Sequence, residues 1–129
     1  MPAVNFETRR SGFYLGESAS PNIINEEVIV ASGSGVLYPG QVLGKVTATG
    51  KYVPHDNALA NGGEVATAIL FHKVNATVAD VKTVATTNGP ATINGNLLTF
   101  KAGISAPNRA AALTSLRTKG LKVLPQHAA

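Results

Sequence analysis

The chain of 129 residues contains no cysteine and no tryptophan, and only 5% of its residues are aromatic. The absence of cysteine excludes disulfide-stapled scaffolds, thiolate zinc sites and cysteine nucleophiles. No apolar run approaches the roughly 20 residues that a membrane-spanning helix needs. The first residues also lack the apolar core of a secretory signal peptide, so we expect neither membrane association nor Sec export.

The composition is that of a chain that can bury a core. Hydrophobic residues make up 44% of it and charged residues 14%, which argues against disorder. The length suits one domain. With 13 glycines and 7 prolines, we expect many short elements joined by tight turns.

Acidic residues are missing from the last part of the chain. Residues 81–129 carry six Lys or Arg and no Asp or Glu, whereas residues 1–80 carry five basic and seven acidic side chains. A phosphate-binding face is one interpretation. Because the six charges are scattered and Phe100 alone could stack on bases among them, we expect no nucleic-acid partner.

Residues 1–24 lack any regular periodicity, yet they hold two of the four Phe and one of the three Tyr. A solvated linker is not expected to carry such side chains. Burial within the segment alone cannot offset the conformational entropy lost when its backbone becomes ordered. We therefore predict an extended arm over 1–24 that docks on its own domain or on another chain. The candidate docking residues are Val4, Phe6, Arg9, Arg10, Phe13 and Tyr14.

From Asn25 onward the pattern predicts short β-strands. The run 65–71 is apolar on both faces, which is typical of a central strand. Tyr38-Pro39-Gly40 predicts a type II turn, and Asn94-Gly95 predicts a hairpin whose second strand lies in 97–100. The alternation over 78–85 predicts that Val78, Val81 and Val84 point inward.

A single helix is predicted over about 106–119, near the C-terminus. Ser105 is a suitable N-cap, Pro107 falls in the first turn, and Gly120 suits the left-handed position after the last turn. Spacing by threes makes Ala110, Leu113 and Leu116 the expected buried stripe. The fold class is thus mainly β with one C-terminal α-helix: a small barrel-like domain over 25–129 behind an N-terminal arm.

Catalytic and cofactor motifs are absent from the sequence. His55, His72 and His127 form no metal-binding pair, and no Gly-rich phosphate loop or nucleophile elbow is present. His55 beside Asp56 could be a base with its orienting acid, but neighbouring side chains seldom point together, and Pro54 with Asp56 is more simply a turn. We expect no enzyme, no cofactor and no metal.

The segment Gly35–Tyr52, GVLYPGQVLGKVTATGKY, is similar to the signature of the tailed-phage head decoration proteins, the family of the lambda capsid-stabilising protein. The similarity continues through VATAIL at 65–70, NGNLLTF at 94–100 and AGISAPNRAAALTSLRTKGL at 102–121, and the arm's RSGFYLGE at 10–17 resembles the family's N-terminal segment. It covers nearly the whole chain in order.

The resemblance implies a β-clip or β-tulip domain that assembles as a homotrimer. It implies that trimers sit outside the expanded phage head, at three-fold and quasi-three-fold positions, and cement the major capsid protein against the pressure of packaged DNA. The arm would become ordered on docking, and the protein would pass through the host cytoplasm before joining the virion.

Other interpretations of the residues stay open. The arm can instead fold back as the first strand of its own domain, either wholly or only beyond Phe13. The domain can be an oligomeric binding module for a small ligand or peptide, or a hydrolase acting at His55 and Asp56.

Overall fold

A computed structural model describes residues 14–18 and 24–124. Within them lie ten strands and one α-helix, which confirms the predicted fold class. The strands are β1 (Leu15–Ser18), β2 (Asn25–Val30), β3 (Gly35–Leu37), β4 (Val42–Lys45), β5 (Tyr52–Pro54), β6 (Ala66–Leu70), β7 (Val74–Ala76), β8 (Val81–Thr86), β9 (Ala91–Asn94) and β10 (Leu121–Leu124). The helix α1 spans Ala106–Arg117, and a short 3-10 helix spans Gly95–Leu97.

Five strands close into a barrel in the order β2-β5-β4-β6-β8. The strand β6 pairs with β4 on one side and β8 on the other, so the prediction that this run is central is confirmed. The barrel interior is filled by one cluster of apolar side chains, which extends under the two-stranded sheet of β3 and β7. Its buried members are Val28, Val30, Leu37, Leu43, Tyr52, Ala68, Leu70, Val74, Ala76 and Ala85.

A second layer covers part of the barrel's outer surface. It consists of α1 and a three-stranded sheet in the order β1-β9-β10. A second apolar cluster lies between the layers, formed by Tyr14, Val42, Ala66, Ile69, Ala91, Ile93, Ala112, Leu116, Leu121 and Val123. Strands β4 and β6 are therefore covered on both faces, which is why their sequences are apolar without alternation.

Local signals explain several element ends. The Ser105 hydroxyl accepts a hydrogen bond from the Asn108 amide at 3.3 Å, as a helix N-cap does. At the other end, Gly120 has φ of +85°, the left-handed conformation that glycine allows. The Tyr38-Pro39-Gly40 turn is present as predicted, with φ of +97° at Gly40 and the Gln41 amide donating to the Tyr38 carbonyl at 3.1 Å.

The predicted hairpin at Asn94-Gly95 is wrong. Both edges of β9 are already occupied, by β1 and by β10, so the following segment cannot pair back onto it. It turns through the 3-10 helix and joins the barrel instead. There Thr99 bridges Gln41, and its carbonyl accepts from the Val42 amide at 3.0 Å.

Three burial predictions also differ from the structure. On β8, Thr83 and Ala85 are buried, and Val84 between them is half-buried, so Val84 faces away from the barrel interior. Val78 is 89% exposed because residues 77–80 form a turn before β8 begins at Val81. On α1, Ala110 is exposed, and the buried row is Ala112 with Leu116, one turn apart; Leu113 is half-buried at its border. The helix is thus rotated slightly from the predicted stripe.

Candidate functional site

Tyr14 is the point at which the predicted arm joins the folded domain. Its side chain is fully buried between the barrel and the outer sheet. The hydroxyl lies 2.6 Å from Thr86 Oγ1 and 3.3 Å from the Ile69 carbonyl, and the Tyr14 carbonyl accepts from the Asn94 amide at 3.0 Å. Burial raises the pKa of this phenol.

The strand that follows Tyr14 lies at the edge of its sheet. In the order β1-β9-β10, β1 pairs antiparallel with β9. Residues 14–18 thus belong to the folded domain, although they fall inside the predicted arm of 1–24. This is the partial folding back that the sequence left open. The side chain of Tyr14 is a core anchor in this structure and is not presented to a partner.

The other predicted docking residues precede this anchor. Val4, Phe6, Arg9, Arg10 and Phe13 lie outside the described residues, so their role stays a prediction. The structure adds where this segment meets the folded domain: it directly precedes the buried Tyr14 and the edge strand β1.

The side chains of His55 and Asp56 have different hydrogen-bond partners. His55 is 1% exposed, and its Nε2 lies 3.1 Å from the Glu64 carbonyl, while Nδ1 is buried without a hydrogen-bond partner. Burial lowers the pKa of His55, which keeps the ring neutral. The Asp56 carboxylate instead bonds Lys101 Nζ at 2.9 Å and the Ala58 amide at 2.9 Å, and the Lys101 hydrogen bond holds its pKa below the usual range.

The sequence favours a turn at Pro54–Asp56 and gives no sign that the His55 ring between them is buried. The segment 55–64 folds over the ring because Gly63 packs directly on the backbone of Gly44. The two adjacent glycines at 62 and 63 are the sequence signal that such a close approach was possible.

An open cavity of about 520 Å³ lies beside this loop. Its apolar wall includes Val53, Leu59 and Phe100, and Asp56 with Lys101 forms an ion pair at its border. This volume falls in the range of small-ligand pockets. Among the described residues no group of three or more His, Asp or Glu is placed to hold a metal ion.

Three basic side chains of the last part of the chain have partners within the domain. Lys101 pairs with Asp56, Arg109 lies 5.1 Å from the Phe100 ring centroid, and Arg117 donates to the Val123 carbonyl at 3.4 Å. None of the helices in the described part of the chain is long and apolar enough to cross a bilayer.

No curated protein sequence matched the chain. The family model for bacteriophage lambda head decoration protein D matches residues 5–121, which includes the arm from Asn5 onward, the barrel, α1 and the start of β10. The chain therefore belongs to the bacteriophage lambda head decoration protein D family, and its function is decoration of a phage capsid.

Proposed function

We propose that this protein is a cement protein of the phage head. In this proposal it binds as homotrimers to the outer surface of the expanded shell, at three-fold and quasi-three-fold positions. Each arm contacts the major capsid protein, and the bound trimers stabilise the head against the pressure of packaged DNA. Newly made protein waits in the host cytoplasm until expanded heads are available.

The observation that best supports this mechanism is the anchoring of Tyr14. Because this residue is locked in the core, an interaction made by residues 1–13 is transmitted to a folded domain. The arm also continues from edge strand β1. An extended segment in that position can add a strand to a sheet edge of a capsid subunit, with main-chain hydrogen bonds supplying affinity and Val4, Phe6 and Phe13 filling pockets.

The energetics favour three arms over one. Full burial of one Phe contributes roughly 1.5–3 kcal/mol, and ordering an extended segment offsets much of that gain. A single arm should therefore bind weakly. Three arms on one rigid trimer raise avidity by about 10²–10⁴ without any new type of contact. Arg9 and Arg10 add steering toward acidic capsid residues, a minor contribution at exposed positions.

Preference for the expanded lattice then gives stabilisation by mass action. A protein that binds the mature shell and not its precursor stabilises the mature form by RT ln(1 + [L]/Kd) per site, where [L] is the concentration of free protein. No chemical step and no cofactor enters this mechanism.

The test is sedimentation of the purified protein with expanded and with unexpanded shells. The protein should sediment only with expanded shells, and a chain lacking residues 1–12 should lose most of its binding. Unchanged affinity of the truncated chain would show that the arm is not the binding element, even though the family assignment would stand.

Point variants separate the arm's side chains from exposed apolar surface in general. We expect Phe6→Ala with Phe13→Ala to weaken shell binding at least about tenfold. The matched control is Val78→Ala, which truncates an apolar side chain that is 89% exposed but lies outside the arm. Equal losses for the control and the arm variant would contradict a specific role for the arm.

Trimer formation is tested separately, by analytical ultracentrifugation of the free protein and by counting copies bound per shell. Occupancy in multiples of three per site class is expected. A second candidate function, binding of a small ligand or peptide, is favoured only by the cavity of about 520 Å³. If the protein has this second function, Leu59→Arg in the cavity wall should abolish binding of the ligand or peptide and leave arm-dependent shell binding intact.

A further inference from the structure

Three Asn-Gly steps occur in the chain, at residues 61–62, 88–89 and 94–95. In such a step the glycine nitrogen can attack the asparagine Cγ, because glycine has no side chain to obstruct the approach. The product is a cyclic succinimide, and ammonia leaves. The three steps differ sharply in what surrounds the reacting atoms.

At Asn61-Gly62, both reacting groups have partners that favour the reaction. The Gly62 amide, which supplies the attacking nitrogen, donates to Glu64 Oε1 at 2.8 Å. Asn61 Oδ1, on the carbon that is attacked, accepts from the Gly63 amide at 3.0 Å. A carboxylate on the nucleophile's proton and an N–H on the carbonyl oxygen are the elements of general-base catalysis and oxyanion stabilisation.

The surrounding fold holds this turn in place. The Asn61 carbonyl accepts from the Thr47 amide at 2.8 Å, and Gly62 has φ of +109°. A side chain at position 62 would collide with the Lys45 carbonyl and with Thr47. Glycine is thus required at 62 by space, and the side chain of Asn61 remains exposed to solvent.

We infer that Asn61 is a self-modifying site, at which Glu64 and the Gly63 amide accelerate succinimide formation in the folded protein. The Glu64 carboxylate takes the proton from the Gly62 nitrogen as a C–N bond forms to Asn61 Cγ. The negative charge on Oδ1 is stabilised by the Gly63 N–H. Collapse of this intermediate expels Nδ2 as ammonia, which takes the proton back from Glu64. Water then opens the ring at one of its two carbonyls, giving aspartate or isoaspartate.

The other two steps provide controls within the same chain. The Asn88 side-chain nitrogen donates to Glu26 Oε2 at 2.9 Å, and the Gly89 amide donates to the Lys119 carbonyl at 2.8 Å. Both reacting groups there are held by other partners. Asn94 ends a strand, its backbone amide is bonded to the Tyr14 carbonyl, and Gly95 is buried at the start of the 3-10 helix.

Conversion of Asn61 would change the surface of the cavity as well as the mass of the protein. Asn61 lines the cavity beside Leu59 and Asp56, so the product places a new carboxylate there and lowers the net charge by one. Isoaspartate also inserts a methylene into the main chain next to the Thr47 hydrogen bond. This inference is independent of the proposed capsid function.

The test follows ammonia loss in the full-length protein at neutral pH, folded and in guanidinium chloride, by tryptic peptide mapping. Asn61 falls in peptide 52–73, and Asn88 and Asn94 fall in 83–101, where fragmentation distinguishes them. In the folded protein we expect Asn61 to react about tenfold faster than in the unfolded chain, a fraction of the 10²–10⁴ that a dedicated general base gives. Asn88 and Asn94 should react more slowly when folded.

The Glu64→Gln variant removes the base and keeps an oxygen that accepts from Gly62. It should slow conversion of folded Asn61 about tenfold and leave Asn94 unchanged. Slower reaction of Asn61 in the folded than in the unfolded wild-type chain, or an unchanged rate in a folded Glu64→Gln variant, would overturn the inference. If the variant unfolds, which a rise of the Asn94 rate would reveal, the wild-type comparison alone decides.

Discussion

At the scale of single residues, His55 couples the fold to pH. Its buried ring has a pKa below the ordinary 6.5 because burial disfavours the imidazolium, although the Glu64 carbonyl and the Asp56 carboxylate oppose the shift. Below about pH 6.5 the unfolded chain therefore binds a proton at this position that the folded chain does not bind. The contribution of His55 to stability is complete above pH 6.5 and is lost as the pH falls toward the lower, folded pKa.

We accordingly expect the free energy of unfolding, measured by urea titration, to decrease as the pH falls below about 6.5. Hydrogen bonds from Lys101 and Lys51 also lower the pKa values of Asp56 and Asp80, but the contributions of these two carboxylates to stability are lost only below pH 3.8. His55→Gln should flatten this dependence in the range just below pH 6.5. A slope that survives His55→Gln would assign it to another group.

Tyr14→Phe tests the polar half of the arm's anchor. The variant keeps the ring in the core but removes the hydroxyl that lies 2.6 Å from Thr86 Oγ1. Thr86 still donates to Asn25 Oδ1 at 2.7 Å, so no buried donor is stranded, and the expected loss is about 0.5–1.5 kcal/mol. Tyr52→Phe is the control, because its ring is also buried but its hydroxyl makes no hydrogen bond within the described part of the chain. An equal loss in both variants would remove the special role of the Tyr14 hydroxyl.

At the scale of elements, the N-cap of α1 is a measurable contribution. Ser105→Ala leaves the Asn108 amide without its acceptor and should destabilise the protein by about 1 kcal/mol. Ser115→Ala, inside the same helix, replaces serine by a better helix former and should not destabilise it. Chemical denaturation of both variants compares the two serines directly, and a stability loss confined to Ser115→Ala would refute the capping assignment.

The same helix illustrates how far sequence reasoning reaches. Caps and tight turns were predictable because they depend on residues three or four apart: Ser105 with Asn108, and Tyr38 with Gln41. Partners distant in sequence were not predictable. The Asn94-Gly95 step has hairpin chemistry, but β1 and β10 occupy both edges of β9, and nothing local in the sequence announces that competition. Thr86 and Tyr14 are likewise far apart in sequence. Their contact, which makes Tyr14 part of the core and not of the arm, is visible only in the structure.

At the scale of the whole molecule, the domain has two layers and two apolar clusters, one inside the barrel and one between the barrel and the outer layer. The barrel interior is closed on itself, while the outer cluster depends on Tyr14 and Leu15 from the N-terminal side and on β10 from the C-terminal side. The segment that is proposed to bind the capsid thus continues from the outer layer, whose sheet contains both β1 and β10. Tyr14 joins the two layers, because its ring lies in the outer cluster and its hydroxyl contacts Ile69 and Thr86 of the barrel.

This arrangement predicts a sharp boundary between binding and folding along the N-terminal sequence. A chain beginning at Tyr14 keeps all the described residues of both apolar clusters. We therefore expect its free energy of unfolding to match that of the full-length protein while its affinity for expanded shells is lost. A chain beginning after Ser18 also lacks Tyr14 and β1. Removal of the buried aromatic side chain alone should cost about 3–5 kcal/mol, and edge pairing with β9 is lost in addition. Urea denaturation of the two truncated chains makes the comparison. If the chain beginning at Tyr14 were destabilised as strongly as the shorter one, residues 1–13 would be part of the folded domain, and the proposal of an arm free to bind a capsid would fail.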